Sequence, residues 1–307
     1  MLVQTISEFK VKSSTQSLTA IPLSSPSVTP LNAAIPIEYA HRKPTNEFFK
    51  QSNLINFEPL NCSLNYSGNY SNYVACGLEG ILKLSKLDFS IALKDPNLYE
   101  NISSEIERSF LSEKKILLLD LDETLIHADF DEEFPSASYD TVINFKGDDE
   151  DISVGIFIRN GLHQFLEEVS KHFEIGIFTA SRKEYADAVI NYIDPNKNFI
   201  KFRLYRNNCI NVKGASIKDI RIFKDIVKME KIVIVDNSIY SFANQLSNGI
   251  LINSFYNDRS DAELINVMSY LLTFISPAKD VREVNKQFFH FEDILKQLSE
   301  EVKISTN

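Results

Sequence analysis

The chain has 307 residues, of which 44% are hydrophobic and 24% charged, and a formal net charge of -10. This length supports a sizeable core in one large or two modest domains, and the acidic balance argues against non-specific attraction to nucleic acid or an anionic membrane. Cys62, Cys76 and Cys209 make neither a disulfide framework nor a zinc pattern, and no stretch approaches the ~18 apolar residues that span a bilayer.

The N-terminus carries neither a signal-peptide nor a transit-peptide pattern. The expectation is a monomer with reduced thiols, nuclear or cytoplasmic, with no membrane span and no direct nucleic-acid contact. The cluster His41-Arg42-Lys43 is too short to read as a nuclear signal.

Residues 1–76 read as an irregular or disordered arm. Positions 13–44 are rich in Ser, Thr, Pro and Ala, which bury little, and 45–76 show no period. Ser25-Pro26 and Thr29-Pro30 fit either proline-directed phosphorylation or a plain polar linker. Residues 77–112 read as a partly helical lead-in, with Ile106, Phe110 and Leu111 on one side.

From Lys115 the pattern sharpens. KILLLDLD is a continuous apolar run ending in acids, as in a strand buried on both faces. YDTVINF and ISVGIFI, separated by the acidic KGDDED, predict a β-hairpin. A helix follows over 161–173, with Leu162, Phe165, Leu166 and Val169 on one face. EIGIFTA predicts a second buried strand, 182–193 a helix, FRLY a short strand and KIVIVDNS a third buried strand. Residues 260–275 and 281–299 read as helices. Strands alternating with helices predict an α/β fold, a parallel sheet flanked by helices.

The three buried strands end at Asp120, Thr179 and Asp236, and open parallel sheets bind ligands beyond the carboxyl ends of their strands. In DLDETLIH, a tight turn after the strand aims Asp120 and Asp122 at one reacting centre. Asp120 can attack phosphorus, and Asp122 can protonate a leaving oxygen and then activate water. Mg2+ suits such a crowd of hard oxygen ligands. Thr124 is expected to close the loop through main-chain hydrogen bonds.

In FTAS, Thr179 suits phosphate binding. Ser181 as a plain helix cap at ASRKEY is a second reading of the same residues. Lys218 in GASIKD would offset phosphate charge, although an isolated lysine usually sits in solvent. Asp236 and Asn237 in VDNS offer metal ligands, and the same letters also make a good turn. What links the four elements is their fixed order along the chain.

At these residues the sequence resembles the haloacid dehalogenase superfamily. Within it, LLLDLDETLIH, FLEEV, FEIGIFTASRKEYADAVINYID, KDI, VIVDNS and the stretch from SFYNDRSDAEL are similar to the small RNA polymerase II C-terminal-domain phosphatases, the NLI-interacting-factor-like family. The resemblance covers roughly residues 113–275.

It implies a Rossmann-like core with a β-hairpin insertion after the first strand, a phosphatase domain over 113–280, and a C-terminal helix and tail over 281–307. It implies catalysis by Asp120 and Asp122 through an aspartyl phosphate, and phosphate held by Thr179 and Lys218. Mg2+ would be held by Asp120, the carbonyl of Asp122, Asp236 and Asn237. A substrate groove would include Phe130, Val154, Arg182, Tyr185 and Arg206, with Ile143 and Phe145 beside them. The implied substrate is a protein phosphorylated on serine or threonine, often followed by proline. Relatives usually read Arg-Pro at Arg159-Asn160 and proline at Ile239, departures that bear on backbone stiffness more than on chemistry, and leucine at Arg182, a departure that bears on the proline preference. A catalytically weak binding scaffold of this fold and a small-molecule phosphatase are the alternatives.

Overall fold

The computed structural model describes residues 74, 77–82, 113–130, 138–148, 150–212, 215–224 and 226–305. The Ser/Thr-Pro pairs and the expected helix around Ile106 lie outside them.

Five parallel strands form the central sheet: β1 (Lys115–Leu119), β5 (Phe173–Phe178), β6 (Ile200–Leu204), β9 (Ile232–Asp236) and β10 (Gly249–Leu251), in the order β10-β9-β1-β5-β6. All residues of β5 and β9, and all but the first of β1, are buried, as continuous apolar runs covered on both faces require. The sheet grows outwards from β1 in two directions, so the switch point lies at its carboxyl end.

Helices α1 (Leu162–Ser170) and α2 (Lys183–Ile193) follow their predicted positions and bury one apolar stripe each. The strand expected at FRLY is β6, beginning at Ile200. Strand β10 escaped the pattern reading because its three residues are too few to show a period.

The insertion after β1 is larger than a hairpin. Strands β2 (Ile126–Asp129), β3 (Thr141–Lys146) and β4 (Asp151–Ile158) make a three-stranded antiparallel sheet in the order β2-β4-β3. The pair β3–β4 is the predicted hairpin. β2, four residues directly after a turn, has no sequence signal of its own. A small antiparallel ribbon, β7 (Ile210–Val212) with β8 (Ala215–Ile217), leads directly to Lys218.

Two helices expected as single units are interrupted. α3 (Glu263–Tyr270) continues into a wider π turn over Leu271–Ile275. The helix expected over 281–299 is two: α4 (Val281–Phe289) and α5 (Phe291–Ser305), separated by His290 in the left-handed region at φ 54°. The break lets Phe288, Phe289 and Phe291 all reach buried positions, with Phe288 4.7 Å from the Tyr270 ring and Phe289 5.2 Å from Phe291. Both helices pack on the core around β10 and the 3-10 turn Ala243–Asn248.

One buried cation ties the sheet to its loops. Arg159, 1% exposed, follows β4. Its Nε and Nη2 donate to the two carboxylate oxygens of Asp261, each at 2.8 Å. Nη1 donates to the carbonyl of Thr124 at 2.9 Å and Nη2 to that of Asn253 at 2.8 Å. The bidentate pair and two carbonyls engage four of the five guanidinium N–H groups. Replacing Arg159 with alanine strands Asp261 and both carbonyls. The expected cost is about 3–5 kcal/mol, read as a lower urea midpoint with an unchanged slope. A loss under 1 kcal/mol would contradict this role.

Candidate active site

The site is built where β1, β5 and β9 end side by side. Asp120 follows β1, and its N–H donates to Val235 O at 3.0 Å, which locks it to β9. The chain then turns sharply: Leu121 O accepts from the N–H groups of Thr124, Leu125 and Ile126 at 3.4, 2.9 and 3.2 Å. Glu123 takes the left-handed conformation inside this turn, at φ 55°.

Besides its main-chain bond to Leu121 O, Thr124 makes a side-chain link that the sequence reading did not expect. Its hydroxyl donates to Asp120 Oδ2 at 3.0 Å and lies 3.5 Å from Asn237 Oδ1. It links the end of β1 to the loop after β9.

Lys218 is no surface lysine. It is 1% exposed, and its Nζ lies 2.5 Å from Asp120 Oδ1 and 2.6 Å from Asp236 Oδ2. Burial opposes its charge, but the Asp120 and Asp236 carboxylates outweigh burial and hold the ammonium well above the ordinary lysine range. Burial pushes the Asp236 carboxyl up to about 6, while Lys218 pulls it down. The loop after β9 is ordered by Ser238 N–H, which donates to Asp236 Oδ1 at 2.8 Å, and by the Asn237 amide, which donates to Ser254 Oγ at 3.0 Å.

Thr179, 1% exposed, ends β5, with its N–H on Leu204 O at 2.9 Å. Its Oγ1 accepts from Ser181 N–H at 3.0 Å, which leaves its proton free for another acceptor among the described residues. Ser181 is not the cap of α2; Arg182 occupies the cap position and makes no side-chain cap bond. Ser181 Oγ donates instead to Asp122 Oδ2 at 2.6 Å, and Tyr185 OH donates to Asp122 Oδ1 at 2.5 Å. Both contacts escaped the sequence reading, because nothing in TASRKEY points to a carboxylate 59 to 63 positions away.

Burial, followed by the charge of Glu123, pushes the Asp122 carboxyl up to about 7, against the pull of the Ser181 and Tyr185 hydroxyls. Cys209 lies behind Thr179, with Sγ 3.7 Å from its carbonyl, and burial raises its thiol to about 12.

The groove residues divide. The Tyr185 ring lies between Phe130 and Phe145, with centroids 5.4 Å away on each side, and Phe130 is 44% exposed. Val154, paired with Ile143 across β3 and β4, is 1% exposed and offers no open surface. Arg182 reaches Asp148 at the tip of the β3–β4 hairpin, with contacts of 2.8 and 2.9 Å. Arg206 is held by Nε on Ala180 O at 2.7 Å and by its N–H on Ser181 O at 3.0 Å.

The donor set fits a small divalent cation. Among the described residues no cluster of three or more His, Cys, Asp or Glu side chains has metal-ligand spacing, so a site here depends on amide and main-chain oxygens as well. Asp120, Asp236 and Asn237 bring hard oxygens to one place through Lys218 and Thr124. Asp120 and Asp236 are almost fully buried and Asp122 lies beside them; with all three ionised, one ammonium leaves negative charge uncompensated. Buried unpaired charge is costly, and a hard cation removes that cost.

The family model described as NLI interacting factor-like phosphatase matches residues 115–282, more than half of the chain. The chain belongs to this phosphatase family. It is 39% identical over 178 residues to CTD small phosphatase-like protein 3 of Caenorhabditis elegans, covering 58% of this chain and 60% of that protein. It is 36% identical over 194 residues to CTD nuclear envelope phosphatase 1B of Danio rerio, covering 61% of this chain and 78% of that protein. A match to CTD small phosphatase-like protein 2 of Dictyostelium discoideum covers only 32% of that protein, so the chain spans less than two thirds of the length of both this relative and the Caenorhabditis elegans one. The solved structure of Fcp1, an essential RNA polymerase II CTD phosphatase, matches at TM-score 0.42 and 19% identity over 65% of this chain and 67% of its own, and the assignment does not rest on it. No helix of the described residues is long and apolar enough to cross a membrane.

The raised carboxyls of this family member make its stability depend on pH. Folded, Asp122 and Asp236 keep protons up to about 7 and 6; unfolded, they ionise near 3.8. Between these values the folded state binds more protons, so stability falls as pH rises from about 4 towards 7. Asp187 and Asp219, whose carboxyls are lowered, act below this window. In chelating buffer the melting temperature should be lower at pH 8 than at pH 5, and Asp122→Asn should flatten the difference. An equal or higher value at pH 8 would refute the assignment of these shifts.

Proposed function

We propose that this chain is a magnesium-dependent protein phosphatase that removes phosphate from serine or threonine through an aspartyl phosphate on Asp120. The observation that carries the reading is Lys218, buried and shared between Asp120 and Asp236 beside a carboxyl, Asp122, whose pKa stands near neutrality. A nucleophile next to a carboxylic acid that still holds its proton is what phosphoryl transfer to and from a carboxylate needs.

In the first step an Asp120 oxygen attacks phosphorus and the bond from phosphorus to the seryl oxygen breaks. The Asp122 proton passes to that oxygen as it leaves. In the second step a water molecule gives a proton to Asp122 and attacks the aspartyl phosphate. The bond from phosphorus to Asp120 breaks, and inorganic phosphate departs. Lys218 and the free hydroxyl proton of Thr179 bind phosphoryl oxygens in both steps.

Asp120, Asp236, Asn237 and the carbonyl of Asp122 would hold Mg2+. When bound, the ion neutralises charge on the phosphoryl oxygens. The Ser181 and Tyr185 hydroxyls keep the Asp122 carboxyl oriented towards the leaving group.

The relatives' names point to a phosphorylated C-terminal domain as substrate; the sequence resemblance extends this to other Ser/Thr-Pro proteins, in the nucleus or cytoplasm. The exposed Phe130 beside Tyr185 and Phe145 suits an apolar residue such as proline next to the phosphosite. At its rim, Arg182 and Asp148 form an exposed ion pair that is weak and places charge where an apolar wall would help proline.

The test is phosphate release from p-nitrophenyl phosphate and from YSPTSPS heptads phosphorylated at either serine, with Mg2+ or chelator. Asp120→Asn should reduce kcat at least about 10³-fold with an unchanged fold by circular dichroism; full activity would sink the mechanism. Arg182→Leu should raise kcat/KM a few-fold on the heptads alone. An equal gain on p-nitrophenyl phosphate would remove Arg182 from substrate selection.

A further inference from the structure

Residues 74 and 77–82 are helical and stand outside the span of the family model, yet Val74, Leu78 and Ile81 are buried with the core. Their spacing places all three on one face of the helix. Two glycines mark where this helical segment meets the rest of the protein. A Cβ at Gly77 would lie 2.4 Å from Ile239 Cγ2, and one at Gly80 would lie 1.9 Å from the Tyr240 hydroxyl. At Gly77 a Cβ would have to displace the buried Ile239 side chain, whereas at Gly80 it meets only the far end of the half-buried Tyr240, which can swing aside; the helix backbone lies close over both residues.

Ile239 and Tyr240 are the middle of the loop that ties the catalytic groups together. At one end are Asp236 and Asn237, with Ser238 N–H on Asp236 Oδ1 at 2.8 Å. Ser241 N–H then donates to Ser238 O at 3.0 Å, and Ser241 O accepts from Lys218 N–H at 2.7 Å. The loop has no sheet ladder of its own, and Ile239 is 1% exposed. Its shape therefore depends on what covers it.

We propose that the helical residues 74 and 77–82 position the catalytic loop: by seating on Ile239 and Tyr240, they fix the separation of Asp236 and Asn237 from Lys218. Gly77 and Ile239 are positioning residues, touching neither substrate nor reacting atoms. The catalytic half of this inference rests on the phosphatase reading above; the mechanical half does not.

Three full-length variants test it: Gly77→Ala, Ile239→Ala and the double variant. Near a Cβ at Gly77, the next atom is Ile239 Cβ at 3.8 Å, an ordinary contact, so trimming Ile239 removes the conflict. Gly77→Ala should lower kcat on p-nitrophenyl phosphate about tenfold (~1.4 kcal/mol). It should also raise the Mg2+ concentration for half-maximal rate and speed amide hydrogen exchange over 236–242 and at Lys218. The double variant should recover most of all three.

A merely structural role predicts a lower melting temperature in Gly77→Ala, with kcat, Mg2+ requirement and loop exchange at wild-type values. That result overturns the inference, and so does a double variant no better than Gly77→Ala. If the wild type shows no Mg2+-dependent turnover, the phosphatase reading fails, and exchange alone decides the mechanical half. Faster exchange in Gly77→Ala that the double variant restores sustains it, and unchanged exchange overturns it.

Discussion

The site depends on the ammonium of Lys218 between the carboxylates of Asp120 and Asp236. Parallel strands β1 and β9 end side by side, so the sheet brings two acids together that would otherwise repel inside a dry crevice. The cation is delivered by a separate device, the β7–β8 ribbon, and fixed by its main-chain bond to Ser241. The residue after it, Asp219, is equally buried. It accepts from the main-chain N–H and side chain of Arg221 and from the amides of Asn244 and Gln245, the last two at 2.8 and 3.0 Å. Ribbon, loop and following turn thus converge on placing one nitrogen atom.

Surroundings separate the two acids of DLDE. Asp120 faces an ammonium and a threonine hydroxyl, both of which donate to its carboxylate oxygens. Asp122, two residues on, faces two hydroxyls and the charge of Glu123, and burial leaves it protonated near neutrality. Identical side chains two positions apart meet different partners because the turn at Glu123 points them at different neighbours. That division underlies the nucleophile and acid proposed for them.

The buried strands ending at Asp120, Thr179 and Asp236 were legible because their apolar runs are continuous and end in polar residues. The grouping of Lys218 with Asp120 was legible only through the order of motifs, since no local feature of GASIKD marks a buried lysine. β2, β10 and the β7–β8 ribbon are too short to show a period, and their existence depends on pairing partners distant in sequence. The break at His290 follows from the burial of Phe288, Phe289 and Phe291 together, a tertiary demand invisible to helical spacing. Ser181 and Tyr185 have local readings, a cap and a groove wall, that conceal their contacts with Asp122. At Ile239 the resemblance leads one to expect proline and its stiffness; here the buried Ile239 side chain packs beneath Gly77.

Arg159 has a consequence for how this chain varies. Its charge is met by one carboxylate, Asp261, in a two-pronged contact, and two further N–H groups reach carbonyls that no side-chain exchange can remove. Lysine cannot reproduce that fork. The two positions, 102 residues apart in the chain, are therefore coupled: changing either alone leaves the other ion stranded, and a tolerated change must replace both or rebuild the connection between the turn after β1 and the loop before α3 by other means.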